Sequence, residues 1–391
     1  MFPRFHAFVC YMDLFHCRTT YVVCSGLFSF IFASDFHISR LQIALGFSIL
    51  HQVGYNIYMN VLVTGGAGYI GSHMVRTLVS HGSKAVVLDT LEFGHKNALP
   101  KEAVIVEGNV SDEALITQTI TEHKIDAVIH FAGYLRVEES VKDPIKYMQN
   151  NVIRPIALLE AMRKTGVDKI IFSSTAAVYG TPKISPIPED HPKEPVSPYG
   201  LSKWCFEEML AQYDKMAKIR SISLRYFNAA GANADGLHGE DHAVETHLIP
   251  LACQAALGKR DQMYMYGTDY PTADGTAVRD YIHLDDLCDA HILTLNALDA
   301  GHSTDRYNVG TGVGVSVKEV LSVVKEVSGV NFVITNAPRR SGDPAELVAD
   351  ATKLQKEFHW QPKSSDIRSI VSSAWNWHTS HPDGYGKVSP K

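Results

Sequence analysis

Val61-Leu62-Val63-Thr64-Gly65-Gly66-Ala67-Gly68-Tyr69-Ile70-Gly71 is the stretch that decides how this chain folds. A short run suited to extended backbone meets glycines at 65, 68 and 71, and a helix-forming pattern follows. In such a strand–turn–helix unit, Gly65 permits the tight turn. Gly68 lets the backbone approach a pyrophosphate, and Gly71 lets helix and strand pack closely. The helix start then offers N–H groups to phosphate oxygens. The next β-rich run ends at Asp89, and 89 − 65 = 24 residues separate it from the first glycine. A carboxylate there accepts hydrogen bonds from ribose hydroxyls and repels a 2′-phosphate, so the expected cofactor is NAD rather than NADP.

Outward from this turn, short β-branched runs alternate with amphipathic stretches. Strands are predicted at Val61–Thr64, Ala85–Asp89, Val104–Glu107, Ala127–Phe131, Lys169–Ser173 and Ser221–Leu224. Helices are predicted at Tyr69–Ser80, Asp112–His123, Pro144–Lys164 and Tyr199–Lys215. Parallel strands need such crossovers, and right-handed ones build a doubly wound sheet. The fold class is therefore α/β: an NAD-binding Rossmann doubly wound parallel sheet with a smaller C-terminal α/β substrate lobe. The sheet domain is expected over 59–228. The lobe is expected mainly over 229–391, where Gly231–Asp241 and Asp269–Thr276 read as loops and the chain has room to cross back to the sheet.

Residues 1–58 are unlike the rest, rich in Phe, Tyr, His and Cys and poor in charge. Their apolar runs, Tyr21–Ala33 and Leu41–Leu50, are too short to span a bilayer. The preferred reading makes them a non-family extension, disordered or preceding a true start at Met59; the rival reading is a targeting or membrane-associating arm. A net charge of −6 argues against nucleic acid or anionic lipid as a partner. Of the six cysteines (Cys10, Cys17, Cys24, Cys205, Cys253 and Cys288) none forms a CxxC pair, so no metal site is expected. Scattered cysteines in the body fit a reducing, cytoplasmic compartment.

Tyr199 and Lys203 form Tyr-x-x-x-Lys, and positions i and i+4 share one helix face. A neighbouring ammonium and a cationic nicotinamide would both lower the phenol's pKa from about 10. Tyr199 could then serve as a general base near neutral pH. Ser173-Ser174-Thr175 ends an upstream strand, where ligands sit in open α/β sheets, and Thr175 could orient the reacting alcohol.

These residues resemble UDP-glucose 4-epimerases, members of the extended short-chain dehydrogenase/reductase family. The resemblance rests on Thr64–His73, Phe131-Ala132-Gly133, Ser173–Gly180, Arg225-Tyr226-Phe227-Asn228 and Tyr270–His283, and runs from Met59 to about Trp377. It implies a tyrosine that removes the 4′-hydroxyl proton while hydride passes from C4′ to a tightly held, unconsumed NAD. The 4-keto sugar turns over, and hydride returns to its other face. By resemblance Tyr199 is the base, Lys203 holds the nicotinamide ribose and Thr175 bonds the 4′ oxygen. The cofactor falls to Gly65, Gly68, Tyr69, Ile70, Gly71, Asp89, Asn109, Val110, Phe131, Ala132, Gly133 and Tyr226, with Tyr199 and Lys203. The sugar nucleotide falls to Asn228, His247, Leu248, Tyr266, Arg279, Arg340, Asp343 and Leu347. UDP-glucose and UDP-galactose are the implied substrates. A homodimer is implied by helices Asp143–Lys164 and Tyr199–Met216, which resemble the pair that packs across the family's two-fold axis.

Two positions depart from the family pattern: Asn109 stands where an acid is common near the adenine, and Glu138 where a glycine is common. Leu347 stands where some members carry tyrosine and reject N-acetylated sugars, so UDP-N-acetylglucosamine is expected as a slower, secondary substrate. Three other functions share part of this pattern. A 4,6-dehydratase needs an acid and a base after the threonine, where this chain has Ala176 and Ala177. A uronate-type epimerase shares the catalytic residues and differs in the lobe. A dinucleotide-sensing regulator without turnover would often lack the tyrosine or lysine, and both are present.

Overall fold

The structure is a computed structural model that describes residues 8–10, 21–23, 58–340 and 342–386. Met1–Tyr55 and Asn56–Lys391 separate into two compact units. Of the first, Phe8–Cys10 pairs antiparallel with Tyr21–Val23. The expectations for the rest of the N-terminal segment lie outside the described residues.

The second unit opens on β1 (Asn60–Thr64), an inner strand of a seven-stranded parallel sheet. β2 (Lys84–Asp89), β3 (Val104–Glu107), β4 (Ala127–His130), β5 (Lys169–Thr175) and β6 (Arg220–Tyr226) follow as the runs of β-branched residues foretell. In space the order is β3-β2-β1-β4-β5-β6, and the seventh strand, Asp305–Val309, pairs with β6 at the edge. The chain therefore crosses back to the sheet from within the second half.

Alternation along β1 explains the layering. Val61 and Val63 enter one core, with Met74, Leu78, Leu287, Leu295 and Trp360. Leu62 enters the other, with Ile116, Leu158, Met162, Phe206 and Leu210. Successive strand side chains point to opposite faces, so a strand buried on both sides reads as a continuous apolar run. Each fully buried side chain of this kind contributes about 1.5–3 kcal/mol. On the first face lie α1 (Tyr69–Ser80) and the later helix Leu284–Asp299. On the second lie α2 (Glu113–His123), the helix Ile156–Thr165 and the long helix Pro198–Ala217.

One expected helix is broken. Pro144–Lys164 resolves into the helical turns Pro144–Met148, a wider π-type turn over Gln149–Ile153, and Ile156–Thr165. Pro155 lacks the N–H that a continuous helix requires, and the chain widens just before it.

The remaining residues build the lobe. Strand Val278–His283 pairs with Asn228–Ala230, Gly314–Ser316 and Glu346–Leu347. Met263–Tyr266 pairs parallel with Ile334–Ala337. Helices Leu248–Ala256, Val317–Ser328 and Ile367–Ser380 close over this lobe's own core.

Candidate active site

The strand order reverses direction at β1 and β4, which places a crevice at their carboxyl ends. Gly65 leaves β1 there, with φ at +69° and room for no side chain: a Cβ would lie 2.6 Å from the Ala132 backbone nitrogen. Gly71 begins α1 so close to the turn that a Cβ would run into the Gly65 carbonyl oxygen. The tight packing is therefore helix against turn, rather than helix against strand as expected. At Gly68 a Cβ would meet only the Gly65 carbonyl, at 3.4 Å, so this backbone stands open for a ligand. Gly68 caps α1 without a side-chain hydrogen bond. The N–H groups of Tyr69, Ile70 and Gly71 have no carbonyl one turn earlier in the helix, which suits a pyrophosphate.

Asp89 ends β2 as the spacing requires. Its Oδ2 accepts the Ala67 N–H at 2.9 Å and its Oδ1 the Leu91 N–H at 2.8 Å. Burial raises the pKa of this carboxyl above the usual range, while those backbone donors oppose the rise. The loop after β4 is fastened at Phe131 and Ala132, whose N–H groups both reach the Thr64 carbonyl. Asn109 folds back so that its Oδ1 accepts the Ser111 N–H at 3.0 Å. That leaves one lone pair for an adenine amino group. Val110 turns its side chain into the sheet core, so only its backbone faces outward. Tyr69 donates to the Gly231 carbonyl at 2.5 Å, joining the glycine turn to the lobe.

Around the expected reacting centre, Lys203 is buried and donates to the Ser173 carbonyl at 2.9 Å. Burial pushes its ammonium down to about 8. Burial raises the Tyr199 phenol above its ordinary value while the Thr175 side chain pulls the other way, so in the protein alone the phenol keeps its proton. Ser173 in turn shares a hydrogen bond with the buried Tyr226 hydroxyl.

Sequence reasoning missed the residues that hold this centre in place. Asn151, in the π-type turn, accepts the Tyr134 N–H at 2.9 Å and donates to both the Tyr134 carbonyl and Ser202 Oγ. It pins the loop after Gly133 to the helix bearing Tyr199. Glu207, one turn beyond Lys203, is wholly buried with Arg225 and also accepts from Ser174. An asparagine inside a helical pattern, or a glutamate four residues after a lysine, carries no sequence signal for such a role. Glu138, the unexplained departure, is exposed in the first turn of the short helix Val137–Lys142. Its carboxylate there complements the helix N-terminus.

The expected substrate residues all fall in the lobe or on its edge. Asn228 donates to the Asp280 carbonyl at 2.9 Å. Arg279 pairs with Asp343, and Arg340 lies 4.3 Å above the Tyr266 ring. Leu347 sits beside Arg279 in register and packs with Val178, Tyr179, Ile187 and Phe227. His247 precedes helix Leu248–Ala256 as its N-terminal flank. The stretch Val278–His283 owes its specificity to Asp280, whose buried carboxylate takes N–H groups from Thr311, Gly312 and Ala349 and the Thr311 hydroxyl. It ties three segments of the lobe together.

Residues 61–310 match the NAD dependent epimerase/dehydratase family. The chain belongs to that family. It is 47% identical to a UDP-glucose 4-epimerase of Lacticaseibacillus casei over 328 residues, which cover 84% of this chain and 99% of that protein. A crystal structure of UDP-glucose 4-epimerase from Brucella ovis in complex with NAD superposes with a TM-score of 0.79 at 42% identity, over 82% of this chain and 98% of that one. The UDP-Glc/GlcNAc 4-epimerase of Campylobacter jejuni superposes with a TM-score of 0.72 at 41% identity, over 82% and 99%. The chain is thus an NAD-dependent epimerase.

Proposed function

We propose that the protein interconverts UDP-glucose and UDP-galactose with Tyr199 as general base. One observation carries this reading: the Thr175 side chain bears on the Tyr199 phenol and draws its pKa down, and the two residues after Thr175 are alanines. Such a site can take and return the 4′ proton but has no acid–base pair in that position to expel a hydroxyl. Thr175 orients the 4′ oxygen, and Tyr199 accepts its proton. The Lys203 ammonium, charged at neutral pH, would hold the nicotinamide ribose. Bound NAD supplies the hydride acceptor and, on the return, the donor. Its positive charge is what brings the buried phenol into a useful range. Asn228, Leu248, Tyr266, Arg279, Arg340 and Asp343 hold the uridine diphosphate, while the His247 ring is turned to Glu240 and Glu245. Arginine suits this because its planar fork bonds pyrophosphate through paired donors.

A cofactor restored in every cycle has no reason to leave. The purified protein is expected to release a stoichiometric amount of NAD into the supernatant on denaturation, and to need none added. Recovery of activity only with added NADP would refute the assignment of Asp89.

Leu347 shapes the sugar pocket and lacks a phenol ring, so UDP-N-acetylglucosamine is proposed as the slower second substrate. Leu347→Tyr should cut that activity by the cost of overpacking, about 1–3 kcal/mol or about 5- to 150-fold, and spare UDP-glucose. Equal loss of both activities in a competition assay would show that Leu347 is no gate.

A homodimer is proposed through the helical turns 137–153 and Pro198–Ala217, where Val141, Ile145, Ile153 and Met216 are exposed. Light scattering at micromolar concentration should give twice the chain mass, and Ile145→Glu should halve it. A fully active wild-type monomer would count against the pairing. Cys205, Cys253 and Cys288 are free thiols, and no described helix is long and apolar enough to cross a membrane. We propose a cytoplasmic location, which free thiols in the body of the chain favour.

A further inference from the structure

Glu240, His242, Glu245 and His247 lie within eight residues of chain, in the loop that leads into helix Leu248–Ala256. Each offers one nitrogen or oxygen atom, and these four atoms all lie within 4.8 Å of one another. His247 Nδ1 stands 2.7 Å from Glu240 Oε1 and 2.8 Å from Glu245 Oε1. His242 Nδ1 stands 3.2 Å from Glu240 Oε1 and 3.3 Å from Glu245 Oε2. Both rings thus turn the same nitrogen toward the same pair of carboxylates.

We propose that this quartet is a closed structural site for one divalent transition-metal ion, with zinc as the best fit. Four ligands at about 2.0–2.1 Å from a tetrahedral centre stand about 3.3–3.4 Å apart, so the observed spacings need open by only about half an ångström. The ligand set, two imidazoles and two carboxylates, suits zinc rather than magnesium or calcium, which take oxygen ligands. Charge agrees: two carboxylates with neutral rings carry −2, and a divalent ion cancels it. The carboxylates are the buried members, with Glu240 and Glu245 side chains 5% and 6% exposed. Burying two like charges side by side is costly without positive charge between them, which a divalent ion supplies and, without the ion, the two rings can supply in its place.

The surroundings hold the ligands as outer partners of a metal site do. Trp377 Nε1 donates to the Glu240 carbonyl at 3.1 Å. The backbone N–H groups of Thr246 and His247 both donate to Glu245 Oε1 at 2.7 Å. The buried His378 Nε2, which has no hydrogen-bond partner among the described residues, faces the field of both glutamates. The loop also touches the cofactor side of the crevice, for the His242 ring meets the Tyr69 ring edge-on at 6.1 Å. An ion here would brace the glycine turn against the helix that follows His247, and no position would remain open for chemistry on the ion. Cysteine spacing carries no trace of such a site. The signal is Glu-x-His-x-x-Glu-x-His, which by chance alone is unremarkable.

The test uses the full chain, made without an affinity tag and dialysed against Zn2+ and then metal-free buffer. Elemental analysis should find one zinc per chain. Co2+ added to metal-stripped protein should give the intense visible absorption of a tetrahedral site. His242→Asn should weaken Zn2+ binding by more than the about 10–100-fold that loss of an outer partner costs, while NAD stays bound. Wild type with no retained zinc and no tetrahedral Co2+ spectrum would overturn the proposal and leave two ion pairs in its place. Zinc held equally by wild type and His242→Asn would also overturn it, since the ion would then sit elsewhere in the chain.

Discussion

Tyr199→Phe is expected to lower kcat by about 10²–10⁴-fold in both directions, the usual cost of losing a general base. The substitution removes one oxygen and leaves the ring that meets Tyr147 edge-on. Packing, fold and bound NAD should therefore survive. Losing the hydroxyl's interaction with Thr175 should cost about 0.5–1.5 kcal/mol, small beside the stability of the fold. Melting temperature and NAD content are the controls, and initial rates with each sugar nucleotide are the readout. Rates within a few-fold of wild type would remove Tyr199 from the mechanism, whatever else the site does.

Glu207→Ala should have the largest effect on stability, about 3–5 kcal/mol, because it leaves the buried Arg225 guanidinium without its counter-charge. Arg225 and Glu207 side chains are 1% and 0% exposed, so water cannot take the missing partner's place. Ser174 loses its acceptor at the same time, and Arg306 loses a contact at 3.1 Å. Urea unfolding reads the loss directly. NAD retention should fall with it, since Glu207 lies one turn beyond Lys203 on the same helix. Glu207→Gln keeps two hydrogen-bonding atoms but not the charge, and should fall between the two. A loss below about 1 kcal/mol for Glu207→Ala would mean that the pair is not the anchor of this helix.

The central strands were legible because a strand buried on both faces must be built from Val, Ile and Leu, as β1 and β2 are. The seventh strand, Asp-Arg-Tyr-Asn-Val, hides because it lies at the edge and carries only two core side chains, Tyr307 and Val309. The helix over Pro144–Lys164 was overextended because an amphipathic pattern does not register the wider turn that one proline imposes. At the site, the glycine turn and Asp89 were readable from spacing, since turn geometry is local. The state of Tyr199 was not, because it depends on burial and on the Thr175 side chain. Asn151, Glu207 and Asp280 act through partners tens of residues away, and no local pattern announces them.

The central claim is that this chain inverts C4′ of a UDP-hexose with cofactor it already carries. Incubating the purified protein with UDP-galactose alone, and following the sugar nucleotides by chromatography, tests it most directly. The account predicts approach to one UDP-glucose/UDP-galactose mixture from either side, with no NAD added and no net change in cofactor absorbance. Unchanged UDP-galactose after NAD is supplied, or a 4-keto-6-deoxy product in place of UDP-glucose, would contradict it.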